Sequence, residues 1–333
     1  MIRREDIEKR ERETLSEHAT LSAESKGRAA DEPACAYRTV FQRDRDRIIH
    51  SKAFRRLMHK TQVFLSPEGD HYRTRLTHTL EVNQVARSIA RALGLNEDLT
   101  EAISLAHDIG HTPFGHNGER VLNMIHPGGF RHNEQGLRVV DVLEFHNGKR
   151  GMNLTYEVRD GILNHPGNLK ACTPEGLVVK ISDRIAYINH DIDDALRSGV
   201  IGGDELPEGP IRLFGREHGF RINNMIENVI EYSDETGEIT MDREHYDSLM
   251  ELRAFMFERV YNSEAVKKEE DARFIEEVIT RLYEYYQAHP EEIPDEIREL
   301  IPECGIETAA KDVVAGMTDR YARNRYAALF GER

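Results

Sequence analysis

Apolar residues recur at helical spacing along most of this chain, and no stretch of convincing length alternates with the period of two typical of strands. Thr74 is a predicted N-cap for a helix that runs to about Leu93. One face of that helix carries residues at i, i+4, i+7 and i+11: His78, Val82, Val85 and Ile89. The pattern predicts an all-α fold with a histidine on an inner helix face. On its own, that position is more typical of a satisfied core histidine than of a ligand.

A second predicted helix ends in the densest group of reactive side chains. Asn96 is its predicted N-cap, and Ile103 and His107 share its inner face. A loop over 110–115, which contains a proline, ends the helix directly after the adjacent pair His107-Asp108. Five of the sixteen histidines lie between positions 107 and 132. The sequence therefore predicts imidazoles and a carboxylate at one helix end, beside a turn.

Further helices carry more candidates. A short helix starts near His116, with Glu119 as its i+3 neighbour, and His132 stands at the entrance of another. The same periodicity predicts helices over 133–145, 155–163, 173–197, 218–232, 242–262, 269–288 and 308–329. We expect the acidic, proline-broken stretch 290–303 to be a surface connection.

The helix opened by Thr173 and Pro174 carries an unexpected polar line. Its apolar stripe consists of Leu177, Ile181, Ile185, Ile188, Ile192 and Leu196. Beside that stripe run Asp183, Tyr187, Asp191 and Asp194. A buried carboxylate needs a partner, so Asp183 implies a cation, whether an arginine or a metal. Arg184 cannot easily serve because adjacent side chains on a helix diverge.

Composition limits the functions open to the chain. A net charge of −15 over 333 residues argues against general nucleic-acid binding, which normally rests on Lys and Arg. Three cysteines without C-x-x-C spacing suggest neither a disulfide framework nor a structural zinc site, and fit a reducing cytoplasm. No apolar h-region or long apolar stretch is present, so we expect a soluble, cytoplasmic protein without membrane contact.

One segment reverses the overall charge. Residues 43–60 contain seven Lys or Arg and two Asp. A solvated, charged helix face is the simpler interpretation. The alternative is contact with a polyanionic substrate, for which Arg47 and Lys60 are the candidates.

Three inward-facing helices together supply two imidazoles and two carboxylates: His78, His107, Asp108 and Asp183. Such donors suit a divalent first-row ion or Mg²⁺, with Mn²⁺ or Mg²⁺ as candidates, and leave positions open for water and a substrate oxygen. The order H…HD…D resembles that of the HD superfamily of metal-dependent phosphohydrolases.

Longer strings are similar to those of one branch of that superfamily, the dGTPase-like deoxynucleoside triphosphate triphosphohydrolases. They are Arg43–Leu57 with Lys60-Thr61-Gln62-Val63-Phe64, Arg73–Val82, His107–His116, and Asp183–Tyr187. The resemblance implies an HD-domain helical bundle with additional C-terminal helices. We expect an N-terminal helical arm over 1–40, the phosphohydrolase core over 41–200, and a C-terminal helical region over 201–333.

The resemblance also implies roles for individual residues. Metal ligands would be His78, His107, Asp108 and Asp183; the catalytic histidine would be His116, with Glu119 as its acidic partner; and His111 and His132 would lie near the phosphates. Substrate contacts would come from Arg75 at the α-phosphate and from Tyr187 and Asp191 at the deoxyribose. A tyrosine under C2′ would exclude a 2′-hydroxyl.

The reaction implied is hydrolysis of a deoxynucleoside triphosphate to a deoxynucleoside and inorganic triphosphate, which requires attack at the α-phosphorus. A dNTP activator is left open as a second partner. A homo-oligomer is expected by analogy, and the apolar set Leu249, Leu252, Phe255, Met256 and Val260 would form either core or interface.

Two alternatives remain at this stage. Within the enzymes, the same ligands would serve an HD phosphohydrolase acting on another phosphate ester, as a 5′-nucleotidase or a cyclic-nucleotide phosphodiesterase. In a different class, the chain would be a regulatory module that binds nucleotide without hydrolysing it. The complete set of ligand types, together with His116 and Glu119, favours an enzyme.

Overall fold

The computed structural model describes residues 1–62, 73–261, 263 and 269–331, so Val63 and Phe64 of the first signature lie outside the described residues. The helices are α1 (Arg4–Thr14), α2 (Val40–His50), α3 (Lys52–Arg56), α4 (Arg75–Ala92), α5 (Glu97–Ala106), α6 (Gly115–Ile125), α7 (His132–Arg138), α8 (Tyr156–Asn164), α9 (Pro174–Arg197), α10 (Glu208–Phe214), α11 (His218–Thr236), α12 (Arg243–Met256), α13 (Glu269–Ala288), α14 (Asp295–Arg298), α15 (Ile301–Ala315) and α16 (Asp319–Phe330).

The remaining regular structure is short. Single 3₁₀ turns cover Ser22–Glu24, Leu57–His59 and Pro290–Glu292, and π-helical turns cover Val139–Leu143 and Phe257–Tyr261. Within the described ranges, the strands are limited to one antiparallel pair, β1 (Phe145–His146) and β2 (Lys149–Arg150). The prediction of an all-α protein is therefore confirmed. Among the described helices, none is both long and apolar enough to cross a membrane.

The helices form two compact units, and each unit is assembled from three stretches of chain. The first comprises Met1–Ile48, His78–Ala106 and Leu154–Lys267. The second comprises Ile49–Thr77, His107–Asn153 and Lys268–Arg333. The boundaries near residues 40 and 200 that the sequence suggests remain a prediction.

The first unit is built around α9, which packs against α5, α8, α11 and α12. The close approach of α5 and α8 depends on Gly161, where an added Cβ would lie 2.7 Å from the Ile103 side chain. Most of the apolar set that sequence assigned to core or interface is fully buried inside this unit: Leu249, Leu252, Met256 and Val260. These four side chains belong to the core, so they give no support to an interface.

The second unit has its own apolar core, formed where α6, α13, α15 and α16 meet. Here the prediction of one helix over 308–329 is wrong, because α15 ends at Ala315 and Thr318 caps a new helix through the N–H of Tyr321 at 3.2 Å. The predicted surface connection over 290–303 is also wrong in part. Ile293 and Leu300 are buried, since they pack inward between the charged residues that dominate the stretch.

Within the first unit, buried carboxylates hold the N-terminal stretch that follows α1. Glu11 accepts from the backbone N–H of Ser22, Glu157 from that of Lys26, and Glu175 from that of Thr20, at 2.7 to 2.9 Å. Backbone groups without regular secondary structure thus find partners in side chains, as buried polar groups require.

Candidate active site

The second unit contains all four predicted catalytic residues, His111, His116, Glu119 and His132, and the turn that carries His107, Asp108 and His111. Within this turn, the N–H of His111 donates to the carbonyl of Asp108 at 3.2 Å. An added Cβ at Gly110 would lie 2.1 Å from the carbonyl oxygen of His132 and 2.2 Å from the nitrogen of Gly136. Only glycine fits at this contact. The start of α7 therefore packs directly on the turn and brings His132 to it.

The carboxylate of Asp108 lies among one arginine and two histidines. Its carboxylate accepts from Arg75 Nη1 at 2.8 Å and lies 3.2 Å from His111 Nε2 and 3.6 Å from His107 Nε2. Burial alone would raise the pKa of Asp108, but the nearby His107, His111 and Arg75 hold it well below its usual range. The group is therefore a carboxylate at neutral pH, as a metal ligand must be.

Glu119 lies between two histidines. Its Oε2 is 3.2 Å from His116 Nδ1, and its Oε1 is 2.9 Å from His132 Nδ1 and also accepts from the backbone N–H of His132. Although burial would raise the pKa of Glu119, its bonds to these two histidines hold it well below the usual range. Burial likewise lowers the pKa of His132, but the bond to Glu119 and the charges of Glu119 and Asp108 together outweigh this effect and raise the pKa. Glu119 thus favours the imidazolium form of His132.

Three imidazoles come together beside this carboxylate. The rings of His111 and His132 are stacked at 4.0 Å, and the ring of His116 is 5.2 Å from that of His111. Burial and the charge of Arg75 lower the pKa of His111 well below its usual value, so this ring is neutral. The side chain of His116 is 73% exposed, whereas that of His111 is 2% exposed. His116 is therefore the histidine of the three that an incoming molecule meets.

Donor atoms in the second unit are spaced closely enough for an ion. Those of Asp108, His111 and His132 lie within 4.8 Å of one another, as do those of His111, His116 and Glu119. Of the four predicted ligands, this unit contains His107 and Asp108. Buried imidazole and carboxylate donors of this kind are typical of sites for divalent first-row ions.

The first unit contains the other two predicted ligands. His78 on α4 and Asp183 on α9 face each other, with 3.1 Å between His78 Nε2 and Asp183 Oδ1. Arg184 points elsewhere and donates to the hydroxyl of Tyr246 at 2.7 Å. The donors in each unit are thus chemically suited to a divalent ion, and Asp183 has an imidazole rather than Arg184 beside it.

Two residues that the sequence did not single out contact the predicted sugar-binding pair on α9. Arg253 Nε donates to the hydroxyl of Tyr187 at 2.9 Å, and the hydroxyl of Tyr261 donates to the carboxylate of Asp191. Tyr261 lies in the π-helical turn after α12, and such turns are rare and frequent at functional sites. Arg253 and Tyr261 are polar residues of the 242–262 segment, and they were the only sign in the sequence that this segment contacts α9. The apolar pattern of the segment indicated only a core or an interface.

Arg47 and Lys60, the two candidates from the basic segment, are both largely buried. Arg47, in the first unit, donates to Glu32 at 2.6 Å. Lys60, in the second unit, donates through Nζ to the carbonyl oxygens of His111 and Ala315. Burial, with the nearby charge of Arg56, lowers the pKa of Lys60 to about 7. Their assignment to the substrate remains a prediction.

Comparison with known families agrees with this site. The HD domain matches residues 75–188, which include every residue of the turn and both predicted ligands of the first unit. The phosphohydrolase-associated domain matches residues 239–328. The helical fold and the histidine–aspartate site therefore define an HD-domain hydrolase, a class of metal-binding enzymes.

Curated proteins of similar sequence indicate which family within this class the chain belongs to. A deoxyguanosinetriphosphate triphosphohydrolase-like protein from Caldanaerobacter subterraneus subsp. tengcongensis is 56% identical over 98% of this chain and 95% of its own length. One of the same name from Desulfatibacillum aliphaticivorans is 47% identical over 99% of this chain and 98% of its own. A solved structure of a hypothetical protein from Aquifex aeolicus shares 19% identity over 86% of this chain and 71% of its own, with a TM-score of 0.47. The chain belongs to the deoxyguanosinetriphosphate triphosphohydrolase-like family.

Proposed function

We propose that this enzyme hydrolyses a deoxynucleoside triphosphate, with dGTP as the first candidate, to a deoxynucleoside and inorganic triphosphate. The observation that carries the proposal is the identity of 56% over nearly the full chain with a relative named deoxyguanosinetriphosphate triphosphohydrolase-like protein. The reaction requires that water attack the α-phosphorus and that the bond to the 5′-oxygen break.

The proposed ligands of a divalent ion are His78, His107, Asp108 and Asp183. When bound, such an ion supplies Lewis-acid polarisation of a phosphoryl oxygen and lowers the pKa of a nearby water. The contact of 2.8 Å from Arg75 to Asp108 supports a second role for the arginine. Its guanidinium has five N–H donors, so it can hold Asp108 in place and still donate to an α-phosphate oxygen.

His116 is the proposed general acid. The departing 5′-oxygen of a deoxynucleoside is a poor leaving group unless it receives a proton, and an imidazolium can supply that proton near neutral pH. Support comes from the exposure of His116 and from its contact with Glu119 at 3.2 Å, which orients the ring. His111, whose pKa is lowered, and His132, whose pKa is raised, are proposed to bind phosphate oxygens.

Tyr187 and Asp191 are the proposed contacts of the deoxyribose. Both lie on α9 and both already hold a hydrogen-bonding partner, Arg253 and Tyr261 respectively, which would restrict their rotamers before substrate arrives. Arg47 and Lys60 are kept as candidates for electrostatic attraction of the triphosphate. A homo-oligomer and a dNTP activator are further proposals that rest on resemblance. A cytoplasmic location is a proposal that rests on the few cysteines and on the lack of a long apolar stretch.

Product analysis in ¹⁸O-labelled water tests the reaction. Purified protein is incubated with each dNTP and with Mn²⁺ or Mg²⁺, and the first products are resolved by anion exchange and mass spectrometry. We expect deoxynucleoside and triphosphate, with one ¹⁸O in the triphosphate, because attack at the α-phosphorus leaves the solvent oxygen there. Pyrophosphate or orthophosphate as the first product would favour another HD phosphohydrolase, and label in the deoxynucleoside would exclude attack at phosphorus.

A further inference from the structure

Asp319, the first residue of α16, reaches the loop that precedes the candidate catalytic helix. One carboxylate oxygen, Oδ1, accepts from the backbone N–H of Phe114 at 2.9 Å. The other, Oδ2, accepts from the backbone N–H of Thr61 at 3.0 Å and from the hydroxyl of Thr61. This carboxylate therefore joins three segments of the second unit that are far apart in the sequence.

Phe114 has a backbone conformation that needs such support. With φ of 63° and ψ of 21° it lies in the left-handed region, which non-glycine residues seldom adopt. It is also the N-cap of α6, so its dihedral angles set the direction in which that helix leaves the loop. His116 and Glu119 are the second and fifth residues of α6. Strain of this kind persists only where the surroundings determine it, and it is concentrated at functional sites.

The side chain of Phe114 is buried and has packing contacts of its own. The ring is 2% exposed and belongs to the apolar core of the second unit. The guanidinium of Arg323, one turn beyond Asp319 on α16, lies 5.4 Å from the ring centroid. One face of α16 thus contacts Phe114 twice, through the N–H and through the ring.

A second link fixes the other end of the same loop. Lys60, next to Thr61, donates to the carbonyls of His111 and Ala315. His111 is therefore linked through Lys60 to Ala315, the last residue of α15. Phe114 is linked directly to Asp319, the first residue of α16. Within the loop, the hydroxyl of Thr112 donates to the carbonyl of Gly115 at 3.0 Å.

We propose that Asp319 is a positioning residue for the acid–base pair of His116 and Glu119. By holding Phe114 in its left-handed conformation, Asp319 fixes the start of α6 and hence the place of His116 and Glu119 relative to His111 in the preceding turn. The inference rests on the proposed function for its kinetic consequence, but the placement of His116 can be measured without turnover. It assigns a role in the site to the C-terminal helices, where the sequence offered no chemical motif.

Asp319→Asn tests the proposal with little change in shape. An amide retains one oxygen acceptor but turns an N–H₂ group toward one of the N–H donors, so one end of the link is lost. Displacement of a catalytic group by about 1 Å can cost about 100-fold in rate, and we expect kcat to fall by about 10- to 100-fold. KM and metal content should stay near wild-type values, because the proposed ligands do not contact Asp319.

Tyr326→Phe is the matched control on the same helix. It removes the hydrogen bond from Tyr326 to Glu277, which ties α16 to α13 away from the loop. We expect it to lower the thermal midpoint while leaving kcat unchanged. Should Asp319→Asn fail to fold, Arg323→Met removes the contact above the Phe114 ring and should lower kcat in the same direction by a smaller factor.

The NMR signals of the His116 ring protons, assigned by comparison with His116→Ala, report the surroundings of this ring in the absence of substrate. We expect Asp319→Asn to shift these signals and Tyr326→Phe to leave them in place. If Asp319→Asn lowers kcat no more than Tyr326→Phe does and leaves the His116 signals unchanged, the proposal is overturned. If wild-type protein releases no triphosphate, the proposed function fails, and the signals of His116 alone decide the positioning role.

Discussion

Asp183 on α9 lies 3.1 Å from the Nε2 atom of His78 on α4, while the adjacent Arg184 is hydrogen-bonded to Tyr246. The carboxylate that the sequence marked as needing a cation therefore has an imidazole at hydrogen-bonding distance. The two side chains would suit a shared divalent ion, since a neutral imidazole and a carboxylate both offer lone pairs to a metal.

Asp183→Asn should remove stoichiometric divalent metal from the purified protein. The substitution replaces an anionic ligand with a neutral, weaker one while keeping the size of the side chain. Metal content by mass spectrometry after dialysis provides the measurement. Asp193→Asn, a carboxylate on the same helix that pairs with Arg197 at 3.1 Å, is the control and should retain the metal. Full metal in Asp183→Asn would show that the ligand set is wrong.

His116→Ala should keep its metal and lose about 10²- to 10⁴-fold in kcat, the usual range for removal of a general acid. His126→Ala is a suitable control because His126 follows the other end of α6 and contacts Tyr283. Steady-state kinetics and metal analysis of both variants provide the measurement. Loss of metal in His116→Ala would indicate that His116 is a metal ligand. A kcat near the wild-type value would indicate that the general acid is His111 or His132.

Glu119→Gln should shift the basic limb of the kcat profile to lower pH. Glu119 raises the pKa of His132 and favours its charged form, so activity that needs this charge is present below the raised pKa and is lost as pH rises through it. Without the carboxylate that pKa falls, and the loss begins at lower pH. Values of kcat measured across the neutral and basic pH range provide the test. If the basic limb stays at the same pH in Glu119→Gln, the charge of His132 does not control kcat.

Tyr187→Ala should relax the preference for dGTP over GTP by about 10- to 100-fold, since a packed side chain discriminates against one hydroxyl by about that factor. Tyr187→Phe keeps the ring and loses only the bond from Arg253. It should therefore preserve most of the preference. The ratio of kcat/KM values for the two nucleotides provides the measurement. Equal ratios in wild type and Tyr187→Ala would locate sugar selectivity elsewhere.

Lys60→Met should flatten the pH dependence of stability above neutrality. Burial lowers the pKa of Lys60 to about 7 in the folded protein, whereas the unfolded chain keeps its usual value of about 10.4. Between these values the unfolded state binds more protons, so this residue makes the folded state more stable as pH rises. Urea unfolding at pH 7 and pH 9 should show a larger gain in wild type than in Lys60→Met. An equal gain would exclude a depressed pKa.

Much of the helical framework could be predicted from local sequence because its signals are local. The predicted caps are present: Thr74 accepts from the N–H of Thr77, Asn96 from that of Leu99, and Thr173 from that of Gly176. Each involves a side chain and a backbone group three residues apart. The pair His107-Asp108 could be located in the same way, because a glycine and a proline mark the end of the helix.

The parts that escaped prediction depend on distant partners. The fastening of the N-terminal stretch to Glu11, Glu157 and Glu175 leaves no periodic pattern in residues 16–34. Tyr261 comes into contact with Asp191 through a π-helical turn, which apolar spacing does not reveal. Asp319 contacts residues more than 200 positions away, so the spacing of residues in a single sequence offers no sign of its partners.

The alternation of the chain between two units has an evolutionary consequence. Each unit draws on an early, a middle and a late stretch of the sequence, so no uninterrupted piece of the gene encodes either unit completely. Recombination that exchanges one contiguous segment cannot therefore transfer either unit whole. Neither unit can therefore be exchanged between genes as a single continuous module.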